Sequence, residues 1–547
     1  MIDIKTQKIK NSEVNVPGSK SYTHRILIAA GLSDGVCNII NCLKSEDTLL
    51  TLNALKQLGI RIDEDEEKVV IHGSKGLLKP CKDPIYLANS GTSMRLLTGI
   101  VAIGDGTYTL TGTKRMFERP IQDLLDGLNQ AGVEAFAVNA NGCPPIKIKG
   151  GKIDGGHVDI NCSISSQYLS SLLLMAPYTD KGLEITVTKG PVSRPYIDMT
   201  VDIMTRLGVK VVRDGYSSFK VPGNQIYKAG NYYVEPDCSQ AGYFWAAAAI
   251  TGAKIKVKGI SKNSSQGDVR FADVLEKMGC RVFHENDGIS VYGDKLSAIE
   301  VDMANMPDIV PTLAVVAAFA RGTTIIKNVA HLREKECDRL SSVATELSKM
   351  GIEANTTENG LVIKGGKPVG AEINTYNDHR IAMSFAVAGL VVPGIKIKDE
   401  KCVEKSFPGT GKSSAGKSLA KILGWSFIDA DVELVKEYKI TISEIVATEG
   451  WKSFRKKEKH VLKRLSSLDK HVIATGGGAI LDEENVKNMK KSGVSIWLRA
   501  TPETVKDRIL KDETTEDSRP SLTSKGLMEE IEETLIYRNP YIPQFLL

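Results

Sequence analysis

Six short stretches in the first 405 residues carry side chains that could do chemistry together. PGSKSYTHR (17–25) puts Lys20, Ser21 and Arg25 on a glycine-containing turn, and NSGTSMR (89–95) joins the polar turn of Asn89 and Gly91 to Arg95 at a helix start. Ser165, Ser166 and Gln167 offer three hydrogen-bonding side chains before an apolar run, of which an N-cap explains only one. PDIVPT sets Asp308 before another apolar run, REKECDR (333–339) alternates charges through Lys335, Glu336 and Arg339, and YNDHR (376–380) places His379 beside Arg380. Singly, each has a plain structural explanation, such as a solvated loop charge or a packed histidine. Together, the basic residues exceed what a neutral substrate needs. They suit two anionic groups, with Asp and Glu accepting or donating protons.

A second chemistry begins without a linker at SFPGTGKSSAGKS (406–418). Gly409 and Gly411 let backbone N–H groups converge on phosphate oxygens, Lys412 supplies charge, and Ser413 offers a hydroxyl to Mg²⁺. A helix start follows, which favours anions. Ser406 stands where the usual pattern has its first glycine. Further on, FIDAD sets Asp429 and Asp431 at the end of an apolar strand, and ATGGGAI follows a strand with Gly477 and Gly478. Alternate carboxylates there suit Mg²⁺ and a hydroxyl nucleophile, or serve as a turn with an N-cap.

The bulk properties narrow the field. At 547 residues the chain should form several domains, and 42% apolar with 25% charged residues is ordinary for a globular protein. A net charge of +5 with no long basic arm argues against nucleic acid; the densest run, FRKKEKH (454–460), reads as a solvated helix face. Nine scattered cysteines without C-x-x-C pairs predict reduced thiols in a cytoplasm rather than zinc or disulfides. MIDIKTQKIK has no apolar core, so no export signal is expected, and the longest apolar run is too short for a bilayer.

The elements that must position these residues repeat. Five segments share a helix that ends at glycine and then a strand: LNALKQLGIRI, LLDGLNQAGVEA, VDIMTRLGVKVV, VLEKMGCRVF and ATELSKMGIEA. Their glycines, Gly59, Gly132, Gly208, Gly279 and Gly351, fall 71 to 76 residues apart. Each should cap its helix in the left-handed region. Each copy runs on into a second strand, so five or six helix–strand–strand units in two lobes are expected. After 406, apolar runs alternate with helical stretches, which predicts α/β with a buried parallel sheet.

PGSKS, NSGTSMR, RMFERP, SSQ, SRPY, KECDRL, YNDHR and CVEKSFP occur in the order found in 5-enolpyruvylshikimate-3-phosphate synthases, and residues 1–405 resemble that family. The resemblance implies an α/β fold of two lobes built from βαβαββ units, an inside-out α/β barrel. Lobe one would comprise 1–14 plus 235–405, lobe two 15–234, and the sixth unit would be shared between the termini. The family transfers the enolpyruvyl group of phosphoenolpyruvate to the 5-hydroxyl of shikimate 3-phosphate, through a tetrahedral adduct, without a cofactor or metal. By motif, Lys20, Ser21, Arg25, Ser165, Ser166, Gln167, Ser193, Tyr196, Asp308 and Lys335 would hold shikimate 3-phosphate. Lys20, Asn89, Gly91, Arg95, Arg119, Gln167, Arg339, His379, Arg380 and Lys405 would hold phosphoenolpyruvate. Lys20, Asp308 and Glu336 would be catalytic, Asp308 as proton acceptor and Glu336 as acid. Leu96 stands where some members carry proline. So many cations divided between two lobes predict an unliganded form held apart by like charge. UDP-N-acetylglucosamine enolpyruvyl transferase is the rival of the same architecture, and a non-catalytic protein of this fold would not need both Asp308 and Glu336.

Residues 406–547 resemble shikimate kinase in the order of loop, FIDAD, ATGGG, SRPSL and YRNPY. That family phosphorylates the 3-hydroxyl of shikimate with ATP and Mg²⁺. By motif, Gly409, Gly411, Lys412, Ser413 and Arg519 would hold ATP; Ser413 and Asp429 would hold the metal; Asp431, Arg455, Gly477, Gly478 and Arg538 would hold shikimate. The P-loop domain reads as truncated at both ends, because KCVEKS is claimed by the synthase and little follows YRNPY. An impaired kinase is therefore expected, against the alternatives of a fully active bifunctional enzyme, a binding module or a structural appendage. Partners are small molecules only, with no membrane, and a monomer is expected.

Overall fold

The structure is a computed structural model describing residues 1–64, 68–399, 402–403, 420, 425–475, 479 and 482–492. The chain divides into two compact units, Met1–Pro408 and Gly409–Leu547.

The first unit has two hydrophobic cores. One gathers residues from Tyr22 to Val234, the other Val16 and residues from Cys238 to Cys402. The first lobe in space, here lobe two, holds helices α1 (Lys20–Gly31), α2 (Glu46–Gln57), α3 (Gly91–Val101), α4 (Gln122–Gln130), α5 (Gln167–Met175) and α6 (Pro195–Arg206). Lobe one holds α7 (Cys238–Thr251), α8 (Phe271–Lys277), α9 (Val310–Ala317), α10 (Arg339–Lys349) and α11 (His379–Gly389). Helices α7, α9 and α11 pack on one another, as do α1, α3, α5 and α6. Every residue of α9 is buried, which explains why VPTLAVVA carries no polar stripe. The sheets lie outside these helices, and their strands alternate buried and exposed residues, as in KVVIH (68–72).

Among the described residues of this unit there are six such sheets. Five have four strands each, mixing a parallel pair with antiparallel ones. The sixth has three and joins the ends of the unit: Ile2 pairs with Ile397, and Ile397 with Ile373. The five repeat glycines all adopt left-handed backbone, with φ of 88°, 91°, 81°, 112° and 75° in chain order. A side chain there would be strained, so the helix-to-strand reversal selects glycine.

In the second unit, Ser426–Asp429 and His471–Ala474 form a parallel pair. Helices α12 (Ala430–Tyr438), α13 (Ile442–Leu465) and α14 (Glu483–Ser492) accompany them, with α13 broken at Gly450, φ 79°. A small core joins Leu434, Ile445, Phe454, Val461 and Leu465. The run FRKKEKH differs from its expectation: Phe454 and Glu458 face inward, because α13 packs this stretch against α12.

Candidate active site

The lobe-two wall is built from helix starts. Ser19 caps α1, and the next residue, Lys20, sends its ammonium to Asp47 Oδ2 at 3.1 Å. One turn on, Arg25 is 1% exposed and donates to Thr200 Oγ1 (2.7 Å) and the Ser21 carbonyl (2.9 Å). Burial pulls its guanidinium down to about 10. Ser90 caps α3, which brings Gly91 and Arg95 to the cleft. Arg95 donates to Gln167 Oε1 and the Pro120 carbonyl, both at 3.1 Å, and Arg119 donates to the Asn89 carbonyl at 2.9 Å. These two guanidiniums flank Gly91 so closely that an added Cβ would lie 2.4 Å from Arg119 Nη2 and 2.8 Å from Arg95 Nη1.

Neither arginine pairs with a carboxylate among the described residues, and the Nε of each is buried without a partner. Burial, then the Arg95 charge, pulls Arg119 down to about 10. Two buried, adjacent cations with unspent N–H groups are a costly arrangement that an anion would relieve.

The lobe-one wall is a charge network centred on Arg339. Its Nε donates to Asp378 Oδ2 (2.8 Å), Nη1 to Asp308 Oδ1 (2.9 Å) and Nη2 to Glu336 Oε2 (2.8 Å). Three carboxylates around one guanidinium hold it charged despite its burial. Arg380, second in α11, donates to Asp308 Oδ2 at 2.9 Å. Burial alone would raise the Asp308 carboxyl, but Arg380 and Arg339 hold it well below the usual range. Lys335 feels the opposite balance: burial, against the pull of Asp308, brings its ammonium down to about 8.

The two walls meet. Tyr196 donates to Asp308 Oδ2 at 3.0 Å, Ser193 Oγ lies 3.3 Å from His331 Nε2, and Arg115 donates to the Lys335 carbonyl at 3.1 Å. Asp308, Glu336 and Asp378 balance the charge of the lobe-one arginines, which weakens the like-charge repulsion between the walls.

Several side chains sit differently from their expected roles. Glu336, expected to be an acid, is held ionised: burial would raise it, but Arg339 and Arg119 outweigh that and keep it well below the carboxylate range. His379 is 1% exposed, both its ring nitrogens lack partners, and burial with Lys20 and Arg380 nearby keeps it neutral. Ser165 caps locally, accepting from Gln167 N at 3.2 Å, while Ser166 is 3% exposed and Ser21 is half-buried. Lys405 lies outside the described residues. Other functional partners escaped the sequence reading: Asp47 on Lys20, Thr200 on Arg25, and Asp378, which caps α11 while binding Arg339. Asp268 is another; burial and the Asp308 charge push it up to about 7.

In the second unit, Asp429 caps α12 by accepting from Asp431 N at 3.1 Å. Arg455 donates to the buried Glu458 at 2.6 Å and lies over Phe454 and Trp451. Gly409, Gly411, Lys412, Ser413, Gly477, Gly478, Arg519 and Arg538 lie outside the described residues. No helix among the described residues is long and apolar enough to cross a membrane.

The fold matches that of solved enolpyruvyl transferases. EPSP synthase from Acinetobacter baumannii superposes with a TM-score of 0.64 at 31% identity, over 74% of this chain and 95% of that one. The enolpyruvyl transferase NikO from Streptomyces tendae, at 19% identity and a TM-score of 0.60, shares the fold. In sequence, the 3-phosphoshikimate 1-carboxyvinyltransferases of a Sulfurovum species and Methanococcus aeolicus are 43% and 42% identical, over 74% of this chain and 96% and 95% of theirs. The EPSP synthase (3-phosphoshikimate 1-carboxyvinyltransferase) model matches residues 4–412, and the chain belongs to that family. A shikimate kinase model matches residues 408–545, so the two share 408–412.

Proposed function

We propose that residues 1–405 transfer the enolpyruvyl group of phosphoenolpyruvate to the 5-hydroxyl of shikimate 3-phosphate. The observation that carries this is the buried pair Arg95 and Arg119 around Gly91, which has no carboxylate partner among the described residues, with the Glu336 charge acting on Arg119 from the other lobe. The pair suits the phosphate and carboxylate of phosphoenolpyruvate. Arg25, Ser165, Ser166, Gln167, Ser193 and Lys335 would hold shikimate 3-phosphate. Asp308, ionised and reached by Tyr196, takes the 5-hydroxyl proton as that oxygen bonds to C2 of phosphoenolpyruvate. The methylene carbon gains a proton to become methyl. Loss of a methyl proton and departure of inorganic phosphate then restore the double bond.

Ionised Glu336 is ready to take that methyl proton. Its earlier donation requires a raised carboxyl, and substrate anions on Arg119 and Arg339 would supply the rise by cancelling the charges that depress it. The fixed charges on both walls stabilise the adduct without reorganisation. Phosphate release that requires both substrates, with enolpyruvyl product identified by mass, tests the reading; no phosphate from the pair would reject it.

The C-terminal unit we read as a shikimate kinase-like module. Mg²⁺ takes oxygen ligands, and Asp429 at the end of the strand 426–429 fits that chemistry. With Ser413 it would hold the ion, which would neutralise ATP phosphates, while Asp431 would orient the shikimate hydroxyl. A cytoplasmic setting is supported by nine free thiols. Action as a monomer is supported by a cleft whose two walls come from one chain.

A further inference from the structure

The chain passes between the lobes twice, at 16–19 and 234–237. The passes run antiparallel side by side: Ser19 N donates to the Glu235 carbonyl (2.8 Å) and Asp237 N to the Pro17 carbonyl (2.9 Å). Gln266 fixes the second pass to lobe one, donating to Glu235 Oε1 and the Pro236 carbonyl, both at 2.8 Å. Each pass runs without a loop into a helix, the first into α1 at Lys20 and the second into α7 at Cys238.

Asp237 serves both helices. Its Oδ1 accepts from Ser239 N (2.9 Å), Gln240 N (3.1 Å) and Ser239 Oγ (2.7 Å), capping α7. Its Oδ2 reaches into lobe two and accepts from Lys20 N at 2.9 Å. Asp237 is 3% exposed, so this bond is shielded from water. The N–H of a first helical residue has no partner within its helix, and the cap of α1 itself is slack, with Ser19 Oγ 3.5 Å from Tyr22 N. The start of α1 is thus held from the other lobe. Lys20 is held at both ends, by Asp237 at its backbone and Asp47 at its ammonium.

We propose that Asp237 is a positioning residue for enolpyruvyl transfer, fixing Lys20 in the cleft and tying that placement to the closed arrangement of the lobes. The proposal rests on the functional reading above. Opening must turn α1 against α7 about the paired passes, and the Lys20–Asp237 bond spans that turn. Closure then restores the Lys20 backbone to the position at which its ammonium faces the reacting groups. Small displacements of a positioned charge are costly to rate.

The full-length variants Asp237→Asn and Asp237→Ser test this. Asn and Ser cap helices about as well as Asp, so α7 keeps its cap and the fold its stability. Asn, however, turns an NH₂ toward the Lys20 N–H, and Ser is too short to reach it. Expected are a fall in kcat for phosphate release of about 10- to 100-fold, with each KM within about threefold. Small-angle scattering of the variants at saturating shikimate 3-phosphate should show a larger radius of gyration than the wild type with the same ligand. Wild-type kcat in both variants would overturn the proposal. So would a lowered melting temperature with full activity per folded molecule, the mark of a mere helix cap. If the wild type itself releases no phosphate, the functional reading fails, yet scattering still decides the hinge: unchanged dimensions in both variants would reject it.

Discussion

Tyr196 of lobe two donates its hydroxyl to Asp308 of lobe one across 3.0 Å, the same carboxylate that receives Arg339 and Arg380. The bond joins the two walls at the group assigned to proton acceptance. Asp308→Asn keeps the shape and removes the base. Its kcat for phosphate release should fall by at least about 10². Tyr196→Phe removes one donor of three and should cost roughly tenfold, consistent with a single hydrogen bond to a charged group. Equal effects of the two changes would count against Asp308 as the base.

Gly91→Ala should act on one substrate. The added methyl would enter contact distance of Arg119 Nη2 and Arg95 Nη1, which must move apart. The KM for phosphoenolpyruvate should rise by about tenfold or more, as expected from losing one charge-assisted contact. Binding of shikimate 3-phosphate, measured alone by calorimetry, should stay the same. Equal weakening of both ligands would show that the guanidiniums do not define a separate subsite.

Lys335 sets the alkaline limb. Its ammonium, brought down to about 8 by burial, is charged below that pH and neutral above it. The value of kcat/KM for shikimate 3-phosphate, which reports the free enzyme, should therefore fall as pH rises through about 8. Lys335→Arg should shift that limb upward. Stability runs the other way. Between about 8 and the ordinary value of 10.5 the unfolded chain keeps a proton that the folded chain has lost, so this group makes the fold more stable as pH rises. A flat profile from pH 7 to 9.5 would refute the assignment.

The kinase-like half should be slow. Cys402 is 4% exposed within the lobe-one core and Val403 packs beside it, so the segment leading to the phosphate loop is already committed. In sequence, KCVEKS before the loop carries Lys401, Glu404 and Lys405 rather than the apolar run expected of the strand from which such loops hang. Shikimate with ATP and Mg²⁺ should yield shikimate 3-phosphate below the ordinary kinase range of about 1–100 s⁻¹. Turnover within that range, abolished by Lys412→Ala, would show that the unit completes its sheet some other way.

Much of the frame was readable before any coordinates. The five glycines announce their units because a left-handed cap admits little else, and the burial of VPTLAVVA follows from its composition. The cationic site residues were readable because they sit in tight motifs. Their partners were not. Asp47 lies 27 positions from Lys20, Asp378 lies 39 from Arg339, and Thr200 lies 175 from Arg25. Such pairs leave no local spacing, since only the packing of separate helices brings them together. The ionised state of Glu336 was not readable either: burial opposes it, and Arg339, three residues on, prevails only together with Arg119 from the opposite lobe.

The pairing of Ile2 with Ile397 and of Val14 with Val257 also sets an order of events during synthesis. Lobe two lies wholly between these strands and can form as soon as it leaves the ribosome. The first fourteen residues must wait for their partners. At about 5–20 residues per second the opening strand stays unpaired for roughly 20 to 80 s. A chaperone that shields MIDIKTQKIK until residue 397 emerges would therefore protect lobe one, while lobe two would need no such help.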